Sequence, residues 1–216
     1  MPRQNQGSVA SSEKPIRPNQ VGAIILAAGE SSRLGKPKQL LELNHKSLVR
    51  RIADEAGDAD CRPVIVVTGS ASAEVQASIA GTGAVAVENR HWKRGIGTSI
   101  RTGVRYLGEA APEIDAIVLL VCDQPAVDAR MIRQLIALRD KTGKRIVASR
   151  YAETLGVPAL FDRQCFHELL DLPDELGAKE IILSDPERVA ELPFPDGAID
   201  IDAVDDWKNL HNQARS

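Results

Sequence analysis

Paired cysteines, aromatic residues and long apolar runs are all scarce in these 216 residues, and each scarcity excludes a class of protein. The three cysteines, Cys61, Cys122 and Cys165, are isolated and odd in number. With no C-x-x-C pair, they indicate neither a disulfide framework nor a zinc cluster. Reduced thiols in a cytoplasmic protein are the plain expectation. Aromatic side chains make up 3% of the chain, too few for platforms that stack the bases of a nucleic-acid strand. The net charge of −3 offers no footprint for nucleic acid or for an anionic membrane. No apolar segment approaches the roughly 20 residues that span a bilayer. His45, His91, His167 and His211 have no partner at metal or triad spacing, and no G-x-S-x-G elbow is present. Hydrolase and zinc chemistries fall away.

What remains is a chain with 43% hydrophobic residues, long enough to bury a sizeable core. Residues 1–20 are polar, dominated by Gln, Ser, Lys and Pro, with no apolar signal core; they read as a floppy tail. Residues 21–216 read as one domain, without repeats. Apolar runs at Ala23–Ala28, Val64–Val67, Ala84–Val87, Ala116–Val121 and Arg145–Ser149 read as strands. Helical spacing recurs at Leu48, Ile52 and Ala56, and at Ile100, Val104 and Leu107 behind Thr98 and Ser99, both good caps. It recurs again at Met131, Ile132, Leu135 and Leu138 behind the cap Asp128. Alternating elements of this kind predict a three-layer α/β/α domain with a mostly parallel central sheet. Ligands of such sheets sit at the carboxyl ends of strands, which here carry Gly29, Gly69, Asn89 and Asp123.

The segment Val21–Lys38 is the most informative. A buried strand breaks at Gly29, and Arg33, Lys36 and Lys38 follow within six residues. Backbone N–H groups of a glycine-bearing loop can converge on phosphate oxygens, and Arg grips phosphate with two parallel hydrogen bonds. A nucleotide is the natural guest. The loop is not the ATPase type G-x-x-x-x-G-K-[ST], because five residues separate Gly29 from Gly35 and Pro37 replaces the magnesium-binding hydroxyl. The dinucleotide pattern G-x-G-x-x-G is absent after this strand.

The second anchor is Asp123, a carboxylate directly behind an apolar strand, with Pro125 stopping that strand. A hard oxygen ligand there suits Mg²⁺, which is commonly held by one or two carboxylates plus substrate phosphates. The competing reading is a turn aspartate without a ligand. Gly95 and Ser99 open a helix whose N–H groups and hydroxyl could receive a base edge or a phosphate, or Ser99 could simply cap it. Asn89 could hold a base edge or a turn.

Leu26, Ala27, Ala28, Gly29, Ser31, Arg33, Gly35 and Lys38 fill the pattern L-A-A-G-x-S-x-R-x-G-x-x-K without a gap. This resembles the signature of nucleotidyltransferases that make molybdenum cofactor dinucleotides, the cytidylyltransferase branch most of all. Cys122-Asp-Gln-Pro125 resembles the same family's metal-binding motif. Asn89, Trp92, Gly95 and Ser99 resemble its N-x-x-W-x-x-G-x-x-x-S segment. The ending Asp200-Ile-Asp202 resembles a further acidic motif, with Ala203-Val204 in place of the usual Thr-Pro; by resemblance Asp202, rather than Asp200, completes the metal site. Gly156–Phe161 and Leu176–Lys179 resemble the acceptor side, with structural packing as the competitor. There Asp174 and Glu175 replace a Gly-Asp pair.

The resemblance implies a Rossmann-like nucleotidyltransferase fold and transfer of CMP from CTP to a phosphorylated acceptor. In this reading the acceptor phosphate attacks the α-phosphate in line, with Mg²⁺ on Asp123. Arg33 and Lys38 neutralise charge on the departing pyrophosphate. Leu-Ala-Ala-Gly goes with CTP and Leu-Ala-Gly-Gly with GTP; the Ala28 methyl would narrow the floor of the base pocket. The implied acceptor is molybdopterin carrying molybdenum, which yields the dinucleotide used by xanthine oxidase-type hydroxylases. Alternatives are guanylyl transfer in molybdenum cofactor synthesis, an isoprenoid or sugar-phosphate acceptor, or a non-catalytic cofactor carrier.

Overall fold

The computed structural model describes residues 20–30 and 37–198. Residues 1–19 of the expected tail, together with Ser31, Arg33, Gly35, Asp200 and Asp202, therefore lie outside the described residues. In chain order the elements begin with β1 (Val21–Ala27), the hairpin strands β2 (Glu42–Leu43) and β3 (Lys46–Ser47), and α1 (Leu48–Asp58). Next come β4 (Val64–Thr68), α2 (Ser72–Ser78), β5 (Val85–Glu88), α3 (Ile96–Ala110), β6 (Ala116–Val121) and α4 (Ala129–Thr142). The chain continues through β7 (Ile146–Tyr151), β8 (Thr154–Asp162), α5 (Phe166–Leu170), α6 (Ala178–Ser184) and β9 (Val189–Pro193).

Seven strands form one sheet in the order β5-β4-β1-β6-β8-β7-β9. All pairings are parallel except those of β8, which runs antiparallel to both β6 and β7. The central strands β1, β4 and β6 are apolar on both faces, as suits strands covered on both sides. Along β1, Ala23, Ile25 and Ala27 enter one core with Val49, Ile52 and Ala56 of α1 and Ile132 and Leu135 of α4. Ile24 and Leu26 enter the other with Ile100, Val104 and Leu107 of α3 and Ile181 and Ile182 of α6. Burying each such Leu or Ile side chain contributes about 1.5–3 kcal/mol. The expected three-layer α/β/α architecture with a mostly parallel sheet is the one observed.

Helix ends explain several boundaries. The Ser47 hydroxyl accepts the N–H of Arg50 at 3.2 Å and starts α1. The Asp128 carboxylate accepts the N–H of Met131 at 2.7 Å and starts α4, as its sequence position suggests. The start of α3 corrects an expectation: it begins at Ile96 behind Gly95, so Thr98 and Ser99 lie inside the helix. For Gly156–Phe161 the sequence left acceptor contact and packing open. This segment belongs to β8, where Leu160 faces one core and Ala159 and Phe161 the other. Those three side chains are fully buried and cannot line an acceptor surface.

The topology creates the site. From β1 the chain proceeds to β4 and β5 on one side, then returns to place β6 on the other side of β1. The last β1–β6 pair is Leu26 with Val121, and beyond it the two chains part. Such a switch point leaves a crevice outside the carboxyl ends of the strands, where ligands of open α/β sheets bind.

Candidate active site

Two charges meet at that crevice. Lys38 follows the loop after β1, Asp123 follows β6, and Lys38 Nζ stands 2.7 Å from Asp123 Oδ2. Their side chains are 15% and 27% exposed, so the pair is sheltered yet reachable from the mouth. Each is followed by a buried glutamine, Gln39 and Gln124. Helix α1 holds the Asp123 loop: its Arg51 donates to the carbonyl of Pro125. Glu55 of the same helix accepts the N–H of Ala129 at 2.8 Å. Between them, Cys122 has its thiol pushed up to about 12, chiefly by burial and further by the Asp123 charge, with Lys38 pulling the other way. It is a poor nucleophile. Burial likewise raises Cys61 to about 12 and Cys165 to about 11.

The loop after β4 braces the loop after β1. Ser70 donates its N–H to the Ala28 carbonyl at 3.3 Å and its hydroxyl to the Gly29 carbonyl at 3.2 Å. Gly69 permits this approach, since a Cβ there would lie 2.3 Å from the Ala28 oxygen and 2.8 Å from Cγ of Trp92. The Trp92 ring thus rests against the end of β4, with Lys93 Nζ 5.3 Å from its centroid. Gly29 is different: its φ is ordinary, and a Cβ would meet only open space. No sharp turn demands a glycine at that position. Leu26 and Ala27 send their side chains into the two cores, so only their backbone remains to serve a ligand, whereas Ala28 closes the strand at the mouth.

Asn89 and Ser99 come together, but with each other. The Asn89 amide donates to the hydroxyls of Thr98 at 2.8 Å and Ser99 at 2.9 Å, and its oxygen accepts the N–H of His91. Both residues are buried. The amide's two donors are thus spent on shaping the turn before α3, and Thr98 completes the knot by donating to the Gly95 carbonyl at 2.7 Å. In this arrangement the Asn89 side chain holds the turn.

Sequence reasoning missed how this turn is clasped from afar. Gly95 has φ +135°, and a Cβ there would sit 2.2 Å from the Asp174 carbonyl oxygen. Gly97 donates its N–H to that oxygen at 2.8 Å. The Asp174 carboxylate takes Arg101 on one oxygen and Arg94 on the other. The Arg101 hydrogen bond, with the charge of Arg94, holds the carboxyl below its ordinary value against a smaller opposing effect of burial. The signal was present as an acid standing where the resembling family has glycine. Glu175, its neighbour, is exposed.

Asp123 supplies one hard oxygen donor set at an open strand end. Among the described residues no group of three or more His, Cys, Asp or Glu could cage a metal. A carboxylate at that position can hold a divalent ion that arrives with phosphate oxygens.

Among the described residues no helix is long and apolar enough to cross a membrane. The bifunctional protein GlmU of Streptomyces coelicolor (strain ATCC BAA-471 / A3(2) / M145) is 32% identical to this chain over 135 residues, 61% of this chain and 27% of that protein. The chain thus spans about a quarter of the length of that relative. Molybdenum cofactor cytidylyltransferase of Escherichia coli (strain K12) is 23% identical over 188 residues, covering 87% of this chain and 93% of its own. Rv0371c from Mycobacterium tuberculosis H37Rv superposes with a TM-score of 0.76 at 31% identity, over 90% of this chain and 98% of its own. A manganese complex of that mycobacterial protein aligns with a TM-score of 0.69 at 29% identity. The family model for the MobA-like NTP transferase domain matches residues 23–189, and the chain belongs to that family.

Proposed function

We propose that this protein is an enzyme that transfers a nucleotidyl group from a nucleoside triphosphate to a phosphate-bearing acceptor and releases pyrophosphate. In the finer reading the nucleotide is CTP and the acceptor is the molybdopterin cofactor, which then passes to a recipient molybdenum hydroxylase. The observation that carries this reading is the Lys38–Asp123 pair at the switch point of the sheet.

Phosphoryl-type transfer asks little covalent work of a protein; positioning and electrostatics supply most of the rate. Asp123 holds the Lys38 ammonium at the strand end before substrate arrives, so the charge that receives phosphate oxygens already stands beside the site. Arg33 is assigned the second cationic contact, and Ser31 and Gly35 complete the phosphate loop. Asp123, with Asp202 as its assigned partner, would hold Mg²⁺, which neutralises phosphate charge when bound. The backbone at Ala28 and Gly69 lines the base side, and the Ala28 methyl narrows its floor in favour of a pyrimidine. Gly29 leaves open space there for a ligand. The α3 N-terminus at Gly95, with Ser99 within the knot beneath it, shapes the wall opposite.

One domain from residue 21 to 216 carries the activity, after a tail of residues 1–20. A cytoplasmic setting accords with the three unpaired cysteines. The discriminating experiment measures pyrophosphate release with CTP, GTP, ATP and UTP in Mg²⁺, with molybdopterin cofactor as acceptor. Preference for CTP is expected. Preference for GTP would overturn the base assignment, and release with another phosphate acceptor alone would overturn the acceptor.

A further inference from the structure

Gln124 follows Asp123 directly and is 4% exposed. Its amide nitrogen donates to the carbonyl oxygen of Gly197 at 3.0 Å, bridging the loop after β6 to the turn Pro195–Ala198. The turn is a firm partner. Phe194 donates its N–H to the Arg150 carbonyl at the end of β7, and Gly197 donates its own to Phe194, both at 2.9 Å. The Phe194 ring is buried in the core that also holds Ile132 and Leu135. On its own side, the Gln124 carbonyl accepts the N–H of Val127 at 3.2 Å. The amide oxygen finds no partner among the described residues, so the donor's bond to a carbonyl 73 positions away is the one that anchors this buried side chain, and losing it at such depth is costly.

We propose that Gln124 is a positioning residue for Asp123: its bond to Gly197 fastens the loop to the edge half of the sheet and sets the carboxylate where it meets Lys38. The other braces of this loop, Arg51 and Glu55, both come from α1. The Gly197 bond is the described side-chain contact that restrains it from the β7 side. Misplacing a reacting constellation by an ångström can cost about 100-fold in rate, so such a restraint reaches the chemistry without touching substrate. This inference rests on the transfer activity proposed above.

Two substitutions attack the same bond from opposite ends. Gln124→Met removes the donor and keeps the bulk. Gly197→Ala places a methyl 2.3 Å from Phe194 Cδ1 and 2.9 Å from Tyr151 Cδ1, displacing the acceptor carbonyl far from Asp123 in sequence. Each should lower kcat for pyrophosphate release about 10-fold with KM for CTP within about 2-fold, and the double variant should also lose about 10-fold, because both act on one bond. Amide exchange in the peptide spanning residues 122–127 should quicken in each single variant. A Gln124→Met enzyme with unchanged kcat, or a double variant losing about 100-fold, would overturn the proposal. Should the wild type turn over no triphosphate, the functional reading fails by itself. Exchange in residues 122–127 then decides the Gln124 connection, with an unchanged rate in Gln124→Met refuting it.

Discussion

The Lys38 ammonium and an Asp123 carboxylate oxygen stand 2.7 Å apart, although 85 residues (123 minus 38) separate them in the chain. The contact joins the loop after β1 to the loop after β6. Because both side chains keep some solvent exposure, the pair adds little to folding, on the order of 0–1 kcal/mol. Its value lies in pre-set charge. Lys38→Met should therefore lower the rate of pyrophosphate release by about 10²–10³, while the thermal midpoint barely moves. Steady-state kinetics and a melting curve on the same preparation check this. A large drop in stability with normal turnover would reverse the assignment.

Asn89 carries the opposite balance. Its buried amide holds two hydroxyls and a backbone N–H, so Asn89→Ala leaves those groups without their partner. A loss of about 1–3 kcal/mol is expected, read as a lower denaturant midpoint at unchanged slope. An unchanged midpoint would contradict the stabilising role of the amide in the turn.

Acid should weaken the fold through Glu168. Its hydrogen bonds to Arg188 hold the carboxyl below its ordinary value of 4.5, against a smaller opposing effect of burial. The folded state thus binds this proton more weakly than the unfolded chain does. The stabilisation is complete above about pH 4.5 and fades as pH falls through the lowered folded value. Wild type should melt higher than Glu168→Gln at neutral pH, and the gap should shrink in acid. A gap that persists unchanged at low pH would contradict the assignment.

Much of this could be read from residues in a row, and the failures share a cause. Ala116–Val121 forms β6 as expected, and Asp123 and Lys38 were visible as charges placed directly behind apolar strands. The start of α3 was misjudged because its first N–H partner, the Asp174 carbonyl, comes from a distant segment. The strand β8 was hidden by Pro158, which cannot donate to a ladder. A register shift between Ala148 and Ser149 accommodates that strand, and the Ser149 hydroxyl donates to the Pro158 carbonyl at 2.5 Å. Short elements such as α2, α5 and β9 owe their form to the cores they cover, so little in their local pattern announces them. The Gln124–Gly197 bond belongs to the same class, because no spacing rule links two residues so far apart.

The most direct measurement is pyrophosphate release from CTP and Mg²⁺ with molybdopterin cofactor, comparing wild type with Asp123→Asn at matched folding. Steady turnover by the wild type and a loss of at least about 10² in the variant are expected. Equal rates in the two proteins would contradict a site built around Asp123.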